Sequence, residues 1–145
     1  SLAVFIDLFS RQVVGWALSR SLDHGLVLKA LERARQKRKP EPGLMIHSDR
    51  GVQYACTGFR QVLKRYGYVQ SMSRKADCWD NAAAESFFHL LKSELIYHYA
   101  WYGYADVHAA LFEYIELFYN RERTHSTLGY LTPVDFEQQA LKIAA

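Results

Sequence analysis

Residues 44–72 contain a strand pattern, a helix pattern and a second strand pattern in close succession. The strand patterns occupy residues 44–48 and 68–72, and between them apolar residues recur at helical spacing over residues 59–66. Gly67 is predicted to end this helix. Two strands joined by a helix over so short a stretch are expected to be parallel, with a right-handed crossover. The chain is therefore predicted to adopt an α/β fold with a parallel pair of strands.

The rest of the chain predicts an antiparallel hairpin and four further helices. Strand-forming residues occupy 2–9 and 13–18, with a tight connection between them. Thr132 and Pro133 supply the cap and the first position of the last helix. We expect one domain over residues 1–145, in which a mixed sheet is packed by helices. The helices are predicted at about residues 22–39, 80–98, 105–121 and 132–143.

Charge is distributed unevenly along the chain, which has a net charge of +3. Residues 1–75 contain 14 Lys and Arg against 5 Asp and Glu, whereas residues 76–145 contain 4 against 10. The basic half could attract a polyanion such as a nucleic acid, or it could be an ordinary solvated helix surface. Composition alone leaves both explanations open.

Apolar runs and cysteine content bear on the class of protein. No stretch approaches the roughly 20 consecutive apolar residues of a membrane span. Cys56 and Cys78 are too few for a disulfide framework or a zinc knuckle, so a reduced, cytoplasmic protein is expected. The chain begins at Ser1 without a Met or a signal-peptide pattern, which is typical of a fragment of a longer protein.

Asp49 follows the apolar strand of residues 44–48 and comes two residues before Gly51. Open α/β sheets usually bind ligands at the carboxyl ends of their strands, and Mg²⁺ takes carboxylate oxygens as ligands. Asp before Gly is also an ordinary turn sequence. Asp49 is therefore either a metal ligand or a turn residue.

A second carboxylate, Glu85, lies in the predicted helix 80–98 and is separated from Asp49 by thirty-five residues. Helical spacing places it beside the apolar arc of that helix, at the rim of the core, in one stripe with Asn81, His89 and Lys92. Such a stripe is either an exposed flank or a metal-binding carboxylate followed by phosphate-binding side chains.

These motifs resemble a known family. The sequences HSDRG at residues 47–51 and DNAAAES at 80–86 resemble the last two acidic motifs of the D-D-35-E transposases and retroviral integrases. The hairpin sequence IDLFSR at 6–11 and the sequence YNRERTHSTLGYLTP at 119–133 resemble bacterial insertion-sequence transposases related to those integrases. Thr124 departs from this pattern, in which proline is frequent.

The resemblance implies a ribonuclease-H-like fold, with helices on both faces of a mixed sheet, that catalyses phosphoryl transfer on transposon DNA. Asp49 and Glu85 would be the second and third catalytic acids, which with a first acid would hold two Mg²⁺ or Mn²⁺ ions. DNA contacts are implied for Asn81, His89, Lys92, Arg121, Arg123 and His125. For the last three, which belong to the C-terminal motif, a role in local structure is equally compatible with the resemblance.

The first catalytic Asp of the family lies on a strand that precedes the hairpin. We therefore expect this chain to lack the first strand of the sheet, to bind metal weakly and not to transpose by itself. Asp7, the nearest carboxylate, matches a hairpin position instead and is predicted to stabilise the turn, with Arg11 as a possible partner.

Two functions are compatible with these features, and a third is disfavoured. The chain is either the enzymatic core of a transposase, acting as a homo-oligomer on transposon ends, or a non-catalytic module of the same fold that docks DNA or another subunit. A ribonuclease of this fold is disfavoured by the motif at 119–133. Trp101, Tyr102 and Tyr104 are candidates for a subunit contact or for the core.

Overall fold

A computed structural model describes residues 1–21, 24–48, 57–72 and 82–144. Two short 3₁₀ turns, Ile96–His98 and Ser126–Leu128, connect the last helices. The main elements are β1 (Leu2–Ile6), β2 (Val13–Leu18), α1 (His24–Arg38), β3 (Met45–Ser48), α2 (Thr57–Tyr66), β4 (Val69–Met72), α3 (Ala82–Glu94), α4 (Tyr104–Phe112) and α5 (Pro133–Ala144).

The described strands pair as two two-stranded sheets, β1–β2 and β3–β4. In the first sheet, Ser19 N–H donates to the Ser1 carbonyl, and Asp7 N–H donates to the Gln12 carbonyl. Residue numbers rise along one strand while those of its partners fall along the other, as in an antiparallel hairpin. In the second, β3 and β4 are parallel, with Met45 opposite Val69. Both predicted pairings are confirmed, whereas hydrogen bonds joining the two pairs into one mixed sheet are absent from the described residues.

The chain divides into two compact units. The first comprises Ser1–Phe5 and Val14–His89, and the second comprises Ile6–Val13 and Leu90–Ala145. The unit boundaries fall within the β1–β2 hairpin and within α3. One domain over residues 1–145 stays a prediction. No helix within the described ranges is long and apolar enough to span a membrane.

The core of the first unit lies where α1 and α2 pack with the strands. Helix α1 buries Leu26, Val27, Ala30 and Leu31, and α2 buries Phe59 and Leu63. Helix α2 ends at Gly67, whose positive φ of 73° lets Tyr68 N–H reach back to the Leu63 carbonyl. Gly67 thereby terminates α2 and turns the chain into β4, as the sequence predicts.

Gly15 of β2 is a point of close packing between that strand and α1. A methyl group on Gly15 would lie 2.6 Å from the Ala34 nitrogen and 2.7 Å from the Ala34 Cβ, and against the Ala30 carbonyl. Because helix backbone cannot move aside as a flexible side chain can, Gly15→Ala is expected to lower the free energy of unfolding by about 1–3 kcal/mol. Urea denaturation measures the change.

The matched control for Gly15 is Gly58→Ala in α2. A Cβ at Gly58 meets no atom within 4 Å, and alanine is the better helix former. This variant is expected to be neutral or stabilised by up to about 1 kcal/mol. Equal urea midpoints for the two variants would contradict close packing at Gly15.

In the second unit, α4 continues as a π-helix over Glu113–Tyr119. The unit buries Leu111, Tyr114, Ile115 and Tyr119 from this continuous segment. The sequence predicts one α-helix over residues 105–121, whereas the structure has the wider turns of a π-helix over Glu113–Tyr119. At the other end of the unit, Thr132 Oγ1 accepts from Asp135 N–H at 3.1 Å and Pro133 begins α5, which confirms the predicted cap.

Residues 6–13 of the hairpin belong to the second unit. Asp7 stabilises the turn, because its carboxylate accepts from Phe9 N–H at 2.8 Å and its carbonyl accepts from Arg11 N–H at 2.7 Å. These two hydrogen bonds confirm the hairpin role predicted for Asp7. In the same hairpin, Ser10 is fully buried and donates its hydroxyl to Glu137 at 2.5 Å.

Candidate active site

The exposed face of α3 carries three of the predicted site residues. Glu85, His89 and Lys92 are exposed, and their spacing of four and three residues places them on one side of the helix. Glu85 lies in the first helical turn. The helix thus presents a carboxylate, an imidazole and an ammonium group in a single row.

The buried side of α3 is formed by Ala83, Phe87 and Leu91. The sequence predicts a buried arc of Ala84, Phe87, Phe88, Leu91 and Leu95. Phe87 and Leu91 are buried as predicted, but Ala83 is buried in place of Ala84, and Phe88 and Leu95 are only partly buried, which displaces the centre of the arc. At 100° per residue the displacement moves Glu85 to nearly the opposite side of the helix. The predicted position of Glu85 at the rim of the core is therefore wrong, since this carboxylate faces away from the described core.

Glu85 is suited to bind a cation. Within the part of the chain that the structure describes, its carboxylate has no hydrogen bond or ion pair, and it is exposed. A free, accessible carboxylate provides the hard oxygen ligands that Mg²⁺ and Mn²⁺ prefer. The residue present at this position therefore fits a divalent metal.

Asp49 and Asn81 lie outside the described residues. In the chain, Asp49 directly follows β3, which ends at Ser48 opposite Met72 of the parallel strand β4. Two residues before Asp49, the Nδ1 atom of His47 is buried and has no hydrogen-bond partner among the described groups. An imidazole with an unused nitrogen thus lies two residues before the predicted metal ligand.

The residues of the C-terminal motif have three different environments. Arg121 is exposed. Arg123 is partly buried, and its Nε lies 2.8 Å and 2.9 Å from the two carboxylate oxygens of Glu94. His125 is buried, with its ring edge-on to Tyr119 at a centroid distance of 4.9 Å. These environments favour the structural alternative for Arg123 and His125.

The surroundings of His125 favour the neutral form of its imidazole. Burial lowers the pKa of the imidazole, and the nearby Arg123 charge lowers it further. A hydrogen bond with the Tyr119 backbone raises the pKa but does not offset this lowering. Its Nε2 atom is buried and lacks a partner among the described residues. A neutral, enclosed ring is poorly placed to attract a phosphate.

Sequence reasoning missed Glu94, the last residue of α3. Its Oε1 accepts from the Tyr114 hydroxyl at 2.6 Å in addition to the Arg123 pair. Burial raises the pKa of Glu94, but the hydrogen bonds from Arg123 and Tyr114 outweigh it, so that the net pKa lies below the usual 4.5. Burial and this carboxylate raise the pKa of Tyr114, which keeps the hydroxyl protonated as a donor.

Glu94→Gln is expected to reduce stability in a pH-dependent way. A carboxyl whose pKa is lowered by folding stabilises the native state above its unfolded pKa, and this contribution is lost as pH falls. Charged hydrogen bonds of this kind contribute about 1.5–3 kcal/mol. The variant should therefore unfold more readily than the parent at pH 7, and the difference should shrink below about pH 4.5.

The control for this prediction is Glu113→Gln, which changes an exposed carboxylate that has no partner among the described residues. Its urea midpoint is expected to equal that of the parent at every pH. A Glu94→Gln deficit that stayed constant from pH 7 to pH 3 would contradict an ionised, hydrogen-bonded Glu94.

Several basic side chains of the first unit already have structural partners. The Arg33 guanidinium donates to the Trp16 carbonyl at 2.9 Å. Arg35 pairs with Glu32 and lies over the Tyr66 ring at 4.6 Å. The exposed basic side chains among the described residues of this unit are Arg20, Lys29, Arg33, Lys37, Lys39, Arg60, Lys64 and Arg65.

The aromatic segment before α4 is partly packed. Trp101 donates its indole N–H to the Ile96 carbonyl at 3.3 Å and lies against Tyr99. Tyr102, by contrast, is 91% exposed. A subunit contact through these aromatic residues stays a prediction.

Sequence comparison finds similar proteins along nearly the whole chain. Residues 1–78 match the sequence model of the integrase core domain, and residues 85–141 match a second model of the same description. The chain is 43% identical, over 137 residues, to the transposase of insertion sequence IS904 from Lactococcus lactis, covering 94% of this chain and 54% of that protein. It is 44% identical, over 140 residues, to the InsF transposase of insertion sequence IS3A from Escherichia coli, covering 97% and 49%. The chain thus spans about half the length of these relatives.

Structural comparison identifies the fold. The catalytic core domain of BIV integrase superposes with a TM-score of 0.65 at 16% identity, covering 99% of this chain and 88% of that chain. A chain of the simian T-cell lymphotropic virus intasome superposes with a TM-score of 0.69 at 14% identity, covering 93% and 47%. The predicted ribonuclease-H-like α/β fold is thereby confirmed.

Proposed function

Because this chain belongs to the integrase core domain family, we propose that it is the catalytic core of a bacterial insertion-sequence transposase that cleaves and joins DNA ends. The observation that carries the proposal is the exposed row of Glu85, His89 and Lys92 on α3, in which Glu85 is separated from Asp49 by thirty-five residues. A carboxylate can hold the metal ion that stabilises the charge of a transferring phosphoryl group, and the neighbouring imidazole and ammonium groups can contact DNA phosphates.

Asp49 and Glu85 would hold the divalent metal, Mg²⁺ or Mn²⁺, with two ions in the complete site. When bound, such ions activate the attacking hydroxyl or water and stabilise the leaving oxygen of an in-line displacement. The chain's own contribution would be two carboxylates, that of Asp49, which follows β3 in the sequence, and that of Glu85 in the first turn of α3. The free state of Glu85 among the described residues supports this role.

DNA contacts are proposed for Asn81, His89, Lys92 and Arg121. The last three of these are exposed. For Arg123 and His125 the ion pair with Glu94 and the burial of the imidazole support local structure instead. We further propose that the complete protein acts in the cytoplasm as a homo-oligomer, which the similarity to an intasome chain supports.

The first acid of the metal site is proposed to lie upstream of Ser1, on a strand preceding the hairpin. The motif order and the span of about half of the relatives' length support this assignment. Residues 1–145 alone are then expected to bind metal weakly and not to join DNA strands.

The test is a strand-transfer assay on duplexes that carry the terminal sequence of the insertion element, using a longer protein that includes the upstream segment. We expect joined products with Mg²⁺ or Mn²⁺ and none with a chelator. Binding without metal-dependent cleavage would favour a non-catalytic docking module. Preferred cleavage of an RNA–DNA hybrid would instead indicate a ribonuclease.

Lys92→Ala is expected to weaken DNA binding equally for all sequences, because an exposed ammonium group neutralises a phosphate without reading a base. Loss of one phosphate contact should reduce the slope of log K against log salt concentration by about 1. Fluorescence anisotropy between low and physiological salt measures this slope. Lys142→Ala, at an exposed lysine of α5, is the control. An unchanged slope in Lys92→Ala would remove Lys92 from the DNA interface.

A further inference from the structure

Tyr130 is an exposed aromatic residue in an unfavourable backbone conformation. Its side chain is 73% exposed, and its φ of 62° lies in the left-handed region, directly after Gly129 with a φ of 66°. Glycine adopts this region without cost, whereas a bulky side chain there is strained. Among the described residues, the Tyr130 hydroxyl has no hydrogen bond and its ring has no aromatic partner. Such contacts within the described chain therefore do not account for a tyrosine at this position.

The turn that carries Tyr130 is closed by backbone hydrogen bonds. His125 N–H donates to the Leu131 carbonyl at 3.0 Å, and Tyr130 N–H donates to the His125 carbonyl at 2.9 Å. His125 and Leu128 are buried, and the following Thr132 caps α5. Since the closing bonds use only backbone groups, glycine or asparagine at position 130 would close the turn equally well. The turn thus holds the tyrosine ring in solvent instead of burying it.

The other exposed residues of this turn are polar or small. They are Ser126, Thr127 and Gly129. The core of a protein–protein interface is instead enriched in apolar and aromatic side chains that lie together. Hydroxyl groups commonly donate hydrogen bonds to phosphate oxygens. A single ring accompanied by two hydroxyl groups therefore fits a nucleotide better than it fits a protein surface.

Arg121 is close in the fold to the base of this turn. The Asn120 carbonyl accepts from Val134 N–H at 3.1 Å, which brings residue 121 next to the segment that follows Tyr130. Arg121 is exposed and has no partner among the described residues. Its charge can bind the phosphate of a nucleotide whose base stacks on the ring.

We propose that Tyr130 stacks on an unpaired base of the DNA substrate, while Ser126, Thr127 and Arg121 bind the phosphate. This inference rests on the proposed function, because DNA ends, on which a transposase acts, can supply unpaired nucleotides. It involves residues of the second unit alone. An unpaired base is required, since the faces of paired bases are covered by their neighbours in the duplex. The closed turn favours binding, because a group that is already held in place loses little conformational entropy.

The test compares DNA binding by variants of the longer protein in the presence of a chelator, so that no DNA is cleaved. One probe is a blunt duplex with the terminal sequence of the insertion element, and the others carry a short unpaired tail on one or the other strand. Tyr130→Asn should weaken binding of a tailed duplex about fivefold to a hundredfold and that of the blunt duplex less than about twofold. Tyr130→Phe keeps the ring and should bind all probes like the parent.

A fluorescent purine analogue in the unpaired tail reports stacking directly, because stacking on an aromatic ring quenches its emission. We expect quenching by the parent and by Tyr130→Phe but not by Tyr130→Asn. The matched control is Tyr97→Asn, at a tyrosine of the same unit that is 75% exposed and has no positive φ. This control should bind and quench like the parent.

Urea denaturation separates binding from folding. Tyr130→Asn should have a midpoint equal to or above that of the parent, because asparagine adopts the left-handed region with less strain. A lower midpoint together with unchanged DNA binding would make Tyr130 a structural residue and overturn the proposal.

Failure of the stacking role and failure of the proposed function give different results. If the parent binds none of the probes, the proposed function is wrong and the stacking role falls with it. If the parent binds them and Tyr130→Asn loses affinity equally for blunt and tailed duplexes, or for neither, the stacking role alone is overturned. Loss of self-association in sedimentation of Tyr130→Asn, with parental affinity for every probe, would instead assign the ring to a contact between copies of the chain.

Discussion

Glu85→Gln is expected to lower the rate of Mg²⁺-dependent strand transfer at least about a hundredfold. Glutamine keeps the size and helix propensity of glutamate but lacks the negative charge that holds a divalent ion, and metal ions contribute several kcal/mol to transition states of phosphoryl transfer. Since Glu85 is exposed and has no partner within the described chain, the melting temperature without metal should stay that of the parent. Asp49→Asn should give a rate loss of similar size.

The matched control is Glu41→Gln, at an exposed glutamate with no partner among the described residues of the first unit. Strand-transfer rates and calorimetric melting curves are compared for the parent, this control and Glu85→Gln. Equal rates for Glu41→Gln and Glu85→Gln would exclude Glu85 as a metal ligand. A lower melting temperature of Glu85→Gln would indicate a structural role instead.

Local patterns predicted the elements that position this site. The parallel pair β3–β4 followed from two strand patterns joined by one helix, because a connection of that length leaves few topologies. The ends of α2 and α5 followed from Gly67 and Thr132, whose local backbone and side-chain geometry is encoded within a few residues. The row of Glu85, His89 and Lys92 on α3 followed from helical periodicity, although its predicted place at the rim of the core was wrong.

Long-range pairings could not be predicted from these patterns. Arg123 and Glu94 are 29 residues apart, and no local periodicity relates them. The sequence motif therefore leaves Arg123 between a DNA contact and a role in local structure, whereas the structure gives it a carboxylate partner. The π-helix at Glu113–Tyr119 was missed for a similar reason, since one extra residue per turn depends on what Tyr114 and Tyr119 pack against.

Asn120 is the residue whose loss is expected to destabilise the fold most among these variants. It is 1% exposed, its Oδ1 accepts from Val13 N–H at 2.9 Å, and its Nδ2 donates to the Val13 carbonyl at 3.0 Å. The side chain thus bonds to the strand backbone as a neighbouring strand would. Asn120→Ala leaves a buried donor and a buried acceptor without partners, at about 1–3 kcal/mol each.

Asn120→Ala should therefore reduce the free energy of unfolding by about 2–5 kcal/mol, when the two unsatisfied groups and the small cavity are considered together. Urea denaturation measures the loss, and amide hydrogen exchange at Val13 should accelerate because its N–H loses its acceptor. Gln138→Ala, which removes an exposed amide from α5, is the control and should change stability by less than about 0.5 kcal/mol. A Val13 amide that stays protected in Asn120→Ala would show that the hairpin is held without Asn120.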